Sequence, residues 1–455
     1  MGKLFGTYDA RGSKIMNDTE RTYWIDLTDL SNWSGNYTGI QRVAFNLAKH
    51  YAERNDVKFF IFDKPNTGFF KVDFDIIKEP PETITEDSDI DDEIHENIVR
   101  RLAHTVPSRY KQRIPNSVNA FLKSSYRAAR RVKNYRLSHK EHTQLKLVLS
   151  KQAIFTQSDV VLIFGSPWAN PAMMPALINA KLQKGFKVVQ VIYDLIPVLM
   201  PYLFGEALLP EFTRYLFDVV TNSDGLVAIS KSSKKDVEAF CDRLLVSKKP
   251  VGVIRLGDEF VKSIPKMPAI DLQPGEFVLC VGTFEIRKNH QLLYYAYKEA
   301  KQRGIKLPKL VIVGRRGWLT EDLAYVIHND PDVNKQIVIL RNTSDSHLSW
   351  LYENCRFTVY PALYEGWGLP IAEALSYGKV CIASNTSSMI EIAPDLVEHF
   401  SPYDSSACLE LMQKYSEDNK SLREKELQIH DKYGKYSWRD TYKQFDAFIQ
   451  DLIIK

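Results

Sequence analysis

The sequence contains few cysteines, and none of them forms a CxxC pair or a Cys/His pair with the spacing of metal ligands. Their number is odd, and three of them lie in or beside apolar, strand-like runs. This pattern excludes a disulfide framework and a thiolate metal site, and it is typical of reduced packing residues in a cytosolic protein. The cysteines are Cys241, Cys280, Cys355, Cys381 and Cys408.

Long apolar runs are absent as well. No stretch of ~18 uninterrupted apolar residues could span a bilayer, and the first residues lack an apolar core of signal-peptide length. A myristoylation signal at Gly2 is not expected, because Gly6 stands where that pattern needs serine or threonine. The net charge of +4 is too small to indicate nucleic acid as a partner of the whole molecule. The sequence therefore predicts a cytoplasmic globular protein.

Charge is segregated in one segment, residues 82–140, which indicates an insertion into the first domain. Its first part, 82–96, carries eight acids and no lysine or arginine, whereas 97–140 carries twelve bases and no acid. Apolar residues between 118 and 132 fall on one helical stripe with bases off it, which predicts a basic amphipathic helix. Two interpretations stay open. The helix contacts anionic lipid on the inner face of the plasma membrane, or it is solvated and packs on its own domain.

Elsewhere, short apolar runs of the buried parallel-strand type alternate with helical stretches, which predicts two doubly wound α/β domains that face a cleft. Residues 256–275, with three prolines and two glycines, have the composition of an interdomain linker. The expected domains are 1–260 and 275–436, followed by a C-terminal helix, 437–455, that returns to the first domain. The predicted strands are 23–27, 58–62, 160–164, 188–193, 226–229, 251–255, 277–281, 310–313, 337–340, 357–360 and 380–383.

One stretch, 356–392, combines a strand, a glycine-bearing turn and a proline placed to open a helix. Two carboxylates, Glu365 and Glu373, flank the turn. We expect Glu365 to face the cleft from the loop and Glu373 to face it from the first helical turn. The amides of residues 366–369 would form an anion site at the helix start. Either glutamate taken alone could instead be a simple helix cap.

A second cluster, VGTFEIRKN at 281–289, follows another predicted strand directly. Arg287 and Lys288 place two cations at the carboxyl edge of that strand, just before a helix. Cations beside a helix N-terminus suit phosphate oxygens. A surface Arg-Lys pair is also often only solvated, so this cluster is not decisive by itself.

Together, the two clusters closely resemble the retaining glycosyltransferases of family four, which have the GT-B fold. Glu365 and Glu373 match the Glu-x7-Glu motif of that family, and Arg287 with Lys288 matches its cationic pyrophosphate site. The resemblance covers nearly the whole chain. Further matching stretches are 38–42, 193–197, 227–230, 255–257 and 313–318.

The resemblance implies a role for each matching residue. Glu373 would hold the ribose hydroxyls of a sugar nucleotide, Glu365 would hold the donor sugar, and Arg287 and Lys288 would stabilise the leaving diphosphate. Neither a metal nor a cofactor is implied, and the anomeric configuration would be retained. The other donor-binding candidates are Gly282, Thr283, Gly314, Tyr364, Gly366, Trp367, Gly368 and Leu369. The candidates on the acceptor or sugar side are Gly39, Tyr193 and Asp194.

The chain departs from the family pattern at position 193, where relatives commonly carry histidine. A phenol at Tyr193 can still donate a hydrogen bond to a sugar hydroxyl, but unlike an imidazole it cannot become a cation near neutrality. Asp194 either orients a substrate hydroxyl or caps the strand end. Ser387, Ser388 and Glu391 match a family stretch that shapes the site, and we interpret them as a helix start.

The similarity to bacterial mannosyl- and rhamnosyltransferases of surface-polysaccharide assembly makes GDP-mannose the leading donor, ahead of UDP- and dTDP-sugars. The acceptor would be a hydroxyl of a glycan or of a lipid-linked glycan. The alternatives are a GT-B sugar-nucleotide epimerase or phosphorylase, and a sugar-nucleotide-binding protein without turnover.

Overall fold

The computed structural model describes residues 21–33, 37, 39–64, 66–77, 151–259, 264–341 and 343–454. The charged insertion, with its expected basic helix, lies outside the described residues. Within them, the helices and strands form two α/β domains and a C-terminal helix.

The N-terminal domain is built on a sheet of seven strands in the order β3-β2-β1-β4-β5-β6-β7. Neighbouring strands are parallel, except that β3 runs antiparallel to β2 at the edge of the sheet. The strands are β1 (Tyr23–Asp26), β2 (Val57–Asp63), β3 (Gly68–Val72), β4 (Val160–Ile163), β5 (Lys187–Ile192), β6 (Gly225–Ala228) and β7 (Val251–Val253). Its helices are α1 (Thr28–Asn32), α2 (Ile40–Tyr51), α3 (Met173–Lys184), α4 (Ile196–Leu199), α5 (Leu208–Asn222) and α6 (Lys231–Leu244).

The second domain is built on a parallel sheet of six strands in the order β10-β9-β8-β11-β12-β13. These strands are β8 (Phe277–Val281), β9 (Lys309–Val313), β10 (Ile337–Leu340), β11 (Phe357–Tyr360), β12 (Cys381–Ser384) and β13 (Glu398–Phe400). Its helices are α7 (His290–Arg303), α8 (Glu321–Asn329), α9 (Asp345–Asn354), α10 (Leu369–Ser376), α11 (Ser405–Glu417) and α12 (Asn419–Lys432), and the C-terminal helix α13 (Trp438–Ile454) follows them.

The predicted strands are confirmed to within two residues at each end, because most of them are near-continuous apolar runs buried on both faces; the shorter runs of β7 and β10 are mostly half-buried. Strands β3 and β13 were not predicted. Each lies at or near a sheet edge and has only three to five residues, with polar or half-buried positions that lack the apolar run of a central strand.

The C-terminal helix α13 packs on the N-terminal domain. Phe448 and Leu452 lie so close to two strands that a Cβ added at Gly252 or Gly225 would be 2.6 Å from their side chains. Asp446 accepts hydrogen bonds from α2 and the loop after it, from Tyr51 at 3.0 Å and Arg54 at 2.8 Å. The last helix therefore ties the end of the chain to the first domain.

The cysteines are all free and buried. Burial raises the pKa of the thiols of Cys280, Cys355 and Cys381 to about 12, because it disfavours the thiolate. The expected packing role is confirmed for these side chains. Among the residues that the structure describes, no helix is long and apolar enough to cross a membrane.

Candidate active site

The carboxyl-edge loops of the two sheets meet in a cleft, and the domains contact each other across it. The hydroxyl of Ser233, in the first turn of α6, lies 2.9 Å from the carbonyl oxygen of Tyr193, after β5. It also lies 3.4 Å from the carbonyl oxygen of Gly366, in the other domain. The predicted stretches after β5, β6 and β11 are therefore brought together at one place.

Arg287 and Lys288 are presented to the cleft by a 3₁₀ turn, Ile286–Lys288, that follows β8. Asn289 ends this turn in the left-handed conformation, with φ at 56°, and its side chain donates to the carbonyl oxygens of Pro361 and Pro402 at 3.0 and 2.8 Å. Asparagine tolerates this conformation better than most residues. The asparagine of the RKN sequence thus fixes the two cations beside the loop after β11.

The two cations surround Glu365, which is 7% exposed. Lys288 Nζ lies 2.6 Å from Glu365 Oε1, and Arg287 Nη1 lies 2.7 Å from Glu365 Oε2. Tyr360, at the end of β11, accepts from Lys288 Nζ at 2.7 Å and donates to Glu365 Oε1 at 2.9 Å. The structure thus brings together the three residues expected to act in catalysis, and it pairs both cations with the carboxylate.

The other end of Arg287 contacts Glu285, which sequence reasoning did not single out. Arg287 Nη2 donates to Glu285 Oε1 at 2.7 Å, and Glu285 is 3% exposed. Arg287 Nη1 also donates to the carbonyl oxygen of Tyr364 at 3.0 Å. The only sequence signal for Glu285 is its place in VGTFEIRKN, two residues before the arginine.

Charge pairing, more than burial, decides how Glu365 and Arg287 ionise. Burial acts to raise the pKa of Glu365, but Arg287 and Lys288 lower it to about 2. Burial acts to lower the pKa of Arg287, but Glu365, Glu285 and Asp194 raise it above its ordinary value. Both groups are therefore charged at neutral pH. Glu285 and Asp194 differ, because burial raises the pKa of each carboxyl and the neighbouring cations only partly oppose it.

Replacing Glu365 by glutamine should change how stability depends on pH. The pKa of Glu365 falls from 4.5 to about 2 on folding, so its contribution is complete above about pH 4.5 and is lost as the pH falls towards 2. We expect the difference in unfolding free energy between the parent and Glu365→Gln to be constant near neutrality and to narrow in that acid range. Urea unfolding of both proteins, measured from about pH 2.5 to 7, checks this pH dependence. A difference in unfolding free energy that does not change with pH would contradict the lowered pKa of Glu365.

The glycine turn after Glu365 is held by two serines of the 3₁₀ helix Ser387–Glu391. Ser387 Oγ accepts from the amide of Glu365 at 2.9 Å. Ser388 Oγ lies 2.8 Å from the carbonyl oxygen of Glu365 and 2.7 Å from that of Trp367. The predicted helix start is confirmed for Ser387 and Ser388, whose hydroxyls also fix the backbone of the turn, whereas Glu391 ends this 3₁₀ helix.

Helix α10 starts after Gly368, whose φ of 114° is open to glycine and costly for other residues. Leu369 and Pro370 form its first turn, where proline loses no helical hydrogen bond. Trp367 is buried, and its indole Nε1 has no hydrogen-bond partner among the described residues.

Glu373 lies deeper in α10 than expected. It is the fifth residue of the helix, in the second turn, and is 5% exposed. Tyr352 donates to Glu373 Oε2 at 2.7 Å, and Arg42 Nη1, from the N-terminal domain, donates to Oε1 at 3.0 Å. Burial raises the pKa of Glu373 even though both partners favour the charged form. The expectation that Glu373 lies in the first helical turn was wrong, because the helix starts four residues earlier, but the contact with Arg42 places its carboxylate where the two domains meet.

The candidates Gly282, Thr283 and Gly314 lie together where the loops after β8 and β9 pack backbone against backbone. A Cβ added at Gly314 would be 1.9 Å from the carbonyl oxygen of Gly282 and 3.1 Å from the Cα of Thr283. No side chain fits at position 314 without moving one loop.

Tyr193 and Asp194, on the acceptor or sugar side, use their polar atoms within the protein. The Tyr193 hydroxyl donates to the carbonyl oxygen of Phe164 at 2.5 Å, so its proton is directed away from the sugar hydroxyl that we expected it to bind. Asp194 Oδ1 accepts from the amide of Ile196 at 3.0 Å, which agrees with a capping role. Gly39 directly precedes α2, and a Cβ placed there would contact no atom within 4 Å.

Two further contacts join the domains at the N-terminus of α6. Glu391 accepts from the amides of Lys231 and Ser232 at 2.8 and 2.7 Å, so a carboxylate of one domain caps a helix of the other. The Tyr364 hydroxyl, expected at the donor, donates to Asp236 at 2.7 Å. Tyr364 and Glu391 thus stabilise the contact between the domains. Within the described ranges, no group of three or more His, Cys, Asp and Glu side chains is placed to hold a metal ion.

Sequence comparison finds matches for the domain that contains the second sheet. Residues 268–431 match the family model of Glycosyl transferases group 1. The serotype-specific mannosyltransferase WbdA of Escherichia coli is 29% identical over 224 residues, which are 46% of this chain and 27% of WbdA. The O-antigen chain mannosyltransferase B of Escherichia coli is 30% identical over 154 residues, 34% of this chain and 40% of that protein. The chain thus spans about a quarter of the length of WbdA.

Structural comparison extends to nearly the whole chain. Sucrose-phosphate synthase from Thermosynechococcus elongatus has a TM-score of 0.56 and 15% identity, over 95% of this chain and 99% of that one. Anabaena Alr3699/HepE, in complex with UDP-glucose, has a TM-score of 0.55 and 12% identity, over 95% of this chain and 99% of that one. At this identity the likeness shows the fold alone, and it confirms the predicted GT-B fold.

Proposed function

Because residues 268–431 match the group 1 glycosyl transferases and the chain has the GT-B fold, we propose that it is a hexosyltransferase. It moves a sugar from a nucleoside diphosphate to a hydroxyl of a glycan or lipid-linked glycan. The observation that carries this proposal is the contact of Arg287 and Lys288 with Glu365, directly before the N-terminus of α10. Two cations and a helix N-terminus at one place suit the diphosphate of such a donor.

In the proposed reaction, the bond between the anomeric carbon and a phosphate oxygen breaks, and the acceptor oxygen bonds to that carbon. The charge that develops on the diphosphate is stabilised by Lys288 and Arg287 and by the amides at the start of α10. The leaving phosphate oxygen takes the proton of the acceptor hydroxyl on the same face, so the configuration is retained. This scheme uses neither a metal nor a cofactor.

The donor needs room that these side chains now occupy. Its diphosphate would replace Glu365 as a partner of the cations, and the freed carboxylate would turn to the sugar. Its ribose hydroxyls would donate to Glu373, sharing that carboxylate with Tyr352 or replacing Arg42. Since Arg42 belongs to the N-terminal domain, donor binding and the contact between the domains would be linked.

We propose mannose from GDP-mannose as the donor, because two relatives are described as mannosyltransferases. A UDP- or dTDP-sugar is the alternative. Contact of 97–140 with an anionic membrane remains a prediction from the charge pattern of the sequence alone.

A thermal-shift screen of GDP, UDP and dTDP tests the donor class. At 100 times its dissociation constant, a ligand stabilises the folded state by about 2.7 kcal/mol, so GDP should give a selective shift. Glu373→Gln should weaken binding of the selected nucleotide by ~10-fold or more, because it removes a charged acceptor from the ribose. Glu398→Gln is the matched control, since Glu398 also pairs with a cation, Lys425 at 3.0 Å, and a tyrosine, Tyr415 at 2.9 Å. If none of the three nucleotides shifts the parent, the proposed donor site is refuted.

A further inference from the structure

Arg287 is shared between two carboxylates that lie in different surroundings. Its Nη2 contacts Glu285 at 2.7 Å, and its Nη1 contacts Glu365 at 2.7 Å. Lys288 contacts the second of these carboxylates as well, at 2.6 Å from Glu365 Oε1. A diphosphate can approach the guanidinium only if one of the carboxylates gives up its place.

Glu285 is enclosed by the backbone of its own domain. A Cβ added at Gly317 would be 2.7 Å from the Cβ of Glu285, so the loop after β9 lies directly against this residue. Two backbone hydrogen bonds hold that loop in place. The amide of Gly317 donates to the carbonyl oxygen of Phe284 at 3.0 Å, and the amide of Ile286 donates to the carbonyl oxygen of Trp318 at 3.3 Å. The residues on either side of Glu285 are therefore tied to this loop by backbone hydrogen bonds, and its Cβ packs against the same loop.

Glu365 lies instead at the contact with the other domain. The residue after it, Gly366, approaches the backbone of Tyr193 so closely that an added Cβ would be 2.3 Å from the Tyr193 oxygen. The loop that carries Glu365 thus contacts the backbone of the other domain directly, whereas Glu285 is one step removed from it, through Trp318 of the loop after β9, whose indole donates to the carbonyl oxygen of Leu203 at 2.8 Å. Of the two carboxylates, Glu365 is the one that can exchange with a ligand.

We propose that Glu285 is a positioning residue, the fixed partner that keeps Arg287 aimed at the cleft while the donor diphosphate replaces Glu365 on the other edge of the guanidinium. The inference rests on the proposed function and adds a residue to it. Charge-assisted hydrogen bonds to a carboxylate are about twice as strong as neutral ones, so a glutamine at this position holds the guanidinium less firmly.

The inference predicts opposite effects on turnover and on nucleotide binding. With Glu285→Gln, loss of the charged partner should lower kcat by roughly tenfold, and Glu285→Ala should lower it by about 100-fold, as expected for a misplaced group. Removing a negative charge beside an anion site does not weaken binding of the anion. The affinity for GDP, UDP or dTDP should therefore stay equal or rise. A purely structural role would weaken both together.

The experiment measures kcat, nucleotide affinity by calorimetry and melting temperature for the parent, both Glu285 variants and Glu321→Gln. Glu321 is the control, because it pairs with Arg316 at 3.2 Å in the same domain but in an exposed position. A lower kcat with undiminished nucleotide affinity supports the inference. It is overturned if Glu285→Ala turns over like the parent, if affinity falls in step with kcat, or if Glu285→Gln fails to fold. A parent that neither binds these nucleotides nor transfers sugar refutes the proposed function itself.

Discussion

Replacing Lys288 by alanine should lower sugar transfer by about 10²-fold or more, as found when a donor to a developing negative charge is removed. The ammonium of Lys288 contacts Glu365 at 2.6 Å and Tyr360 at 2.7 Å, with its side chain only 12% exposed. It is thus held rigidly where the diphosphate would leave. A fixed charge in such a site costs no reorganisation when the bond breaks.

The fold should survive this change, because Glu365 keeps Arg287 at 2.7 Å and Tyr360 at 2.9 Å. The measurement is the initial rate of transfer from the selected donor, beside the melting temperature. Lys298→Ala is the matched control, since Lys298, on α7, also bridges two partners, Asp330 at 3.0 Å and Asp332 at 2.7 Å. Turnover near the parent level in Lys288→Ala, or an equal loss in the control, would rule out this mechanism.

The sequence contains enough to predict the two sheets and the meeting of Arg287, Lys288 and Glu365. Buried parallel strands are nearly continuous apolar runs, and their carboxyl ends share one edge, so residues that follow them directly converge. This reasoning needs only local patterns and the geometry of a parallel sheet.

It cannot predict which polar atoms pair across that edge. Arg42 lies 331 positions from Glu373 along the chain, and its contact depends on how the two domains face each other. The Tyr193 hydroxyl could have faced a ligand or the backbone, and its bond to Phe164 is fixed by packing inside the first domain. Glu285 carries no pattern of its own, because a single buried carboxylate beside an arginine leaves no periodic signal.

Replacing Gly366 by alanine should also lower transfer by about 100-fold, through the contact between the domains. An added Cβ would be 2.3 Å from the carbonyl oxygen of Tyr193 and 3.1 Å from its carbon, and neither is the end of a flexible side chain. The two backbones must separate by roughly 1 Å to reach an ordinary contact distance, which moves Glu365 and its cations relative to the first domain.

The melting temperature should change little by comparison, because the clash lies between the domains and leaves both hydrophobic cores intact. Gly434→Ala is the control, since a Cβ there meets no atom within 4 Å and its φ is not in the left-handed region. Transfer rates and melting temperatures of the two variants separate the possibilities. If Gly366→Ala transfers sugar at the parent rate, the close approach of Tyr193 and Gly366 is not required for turnover. A loss confined to Gly366→Ala, with both melting transitions kept, means that the reaction needs the domains in contact at this point.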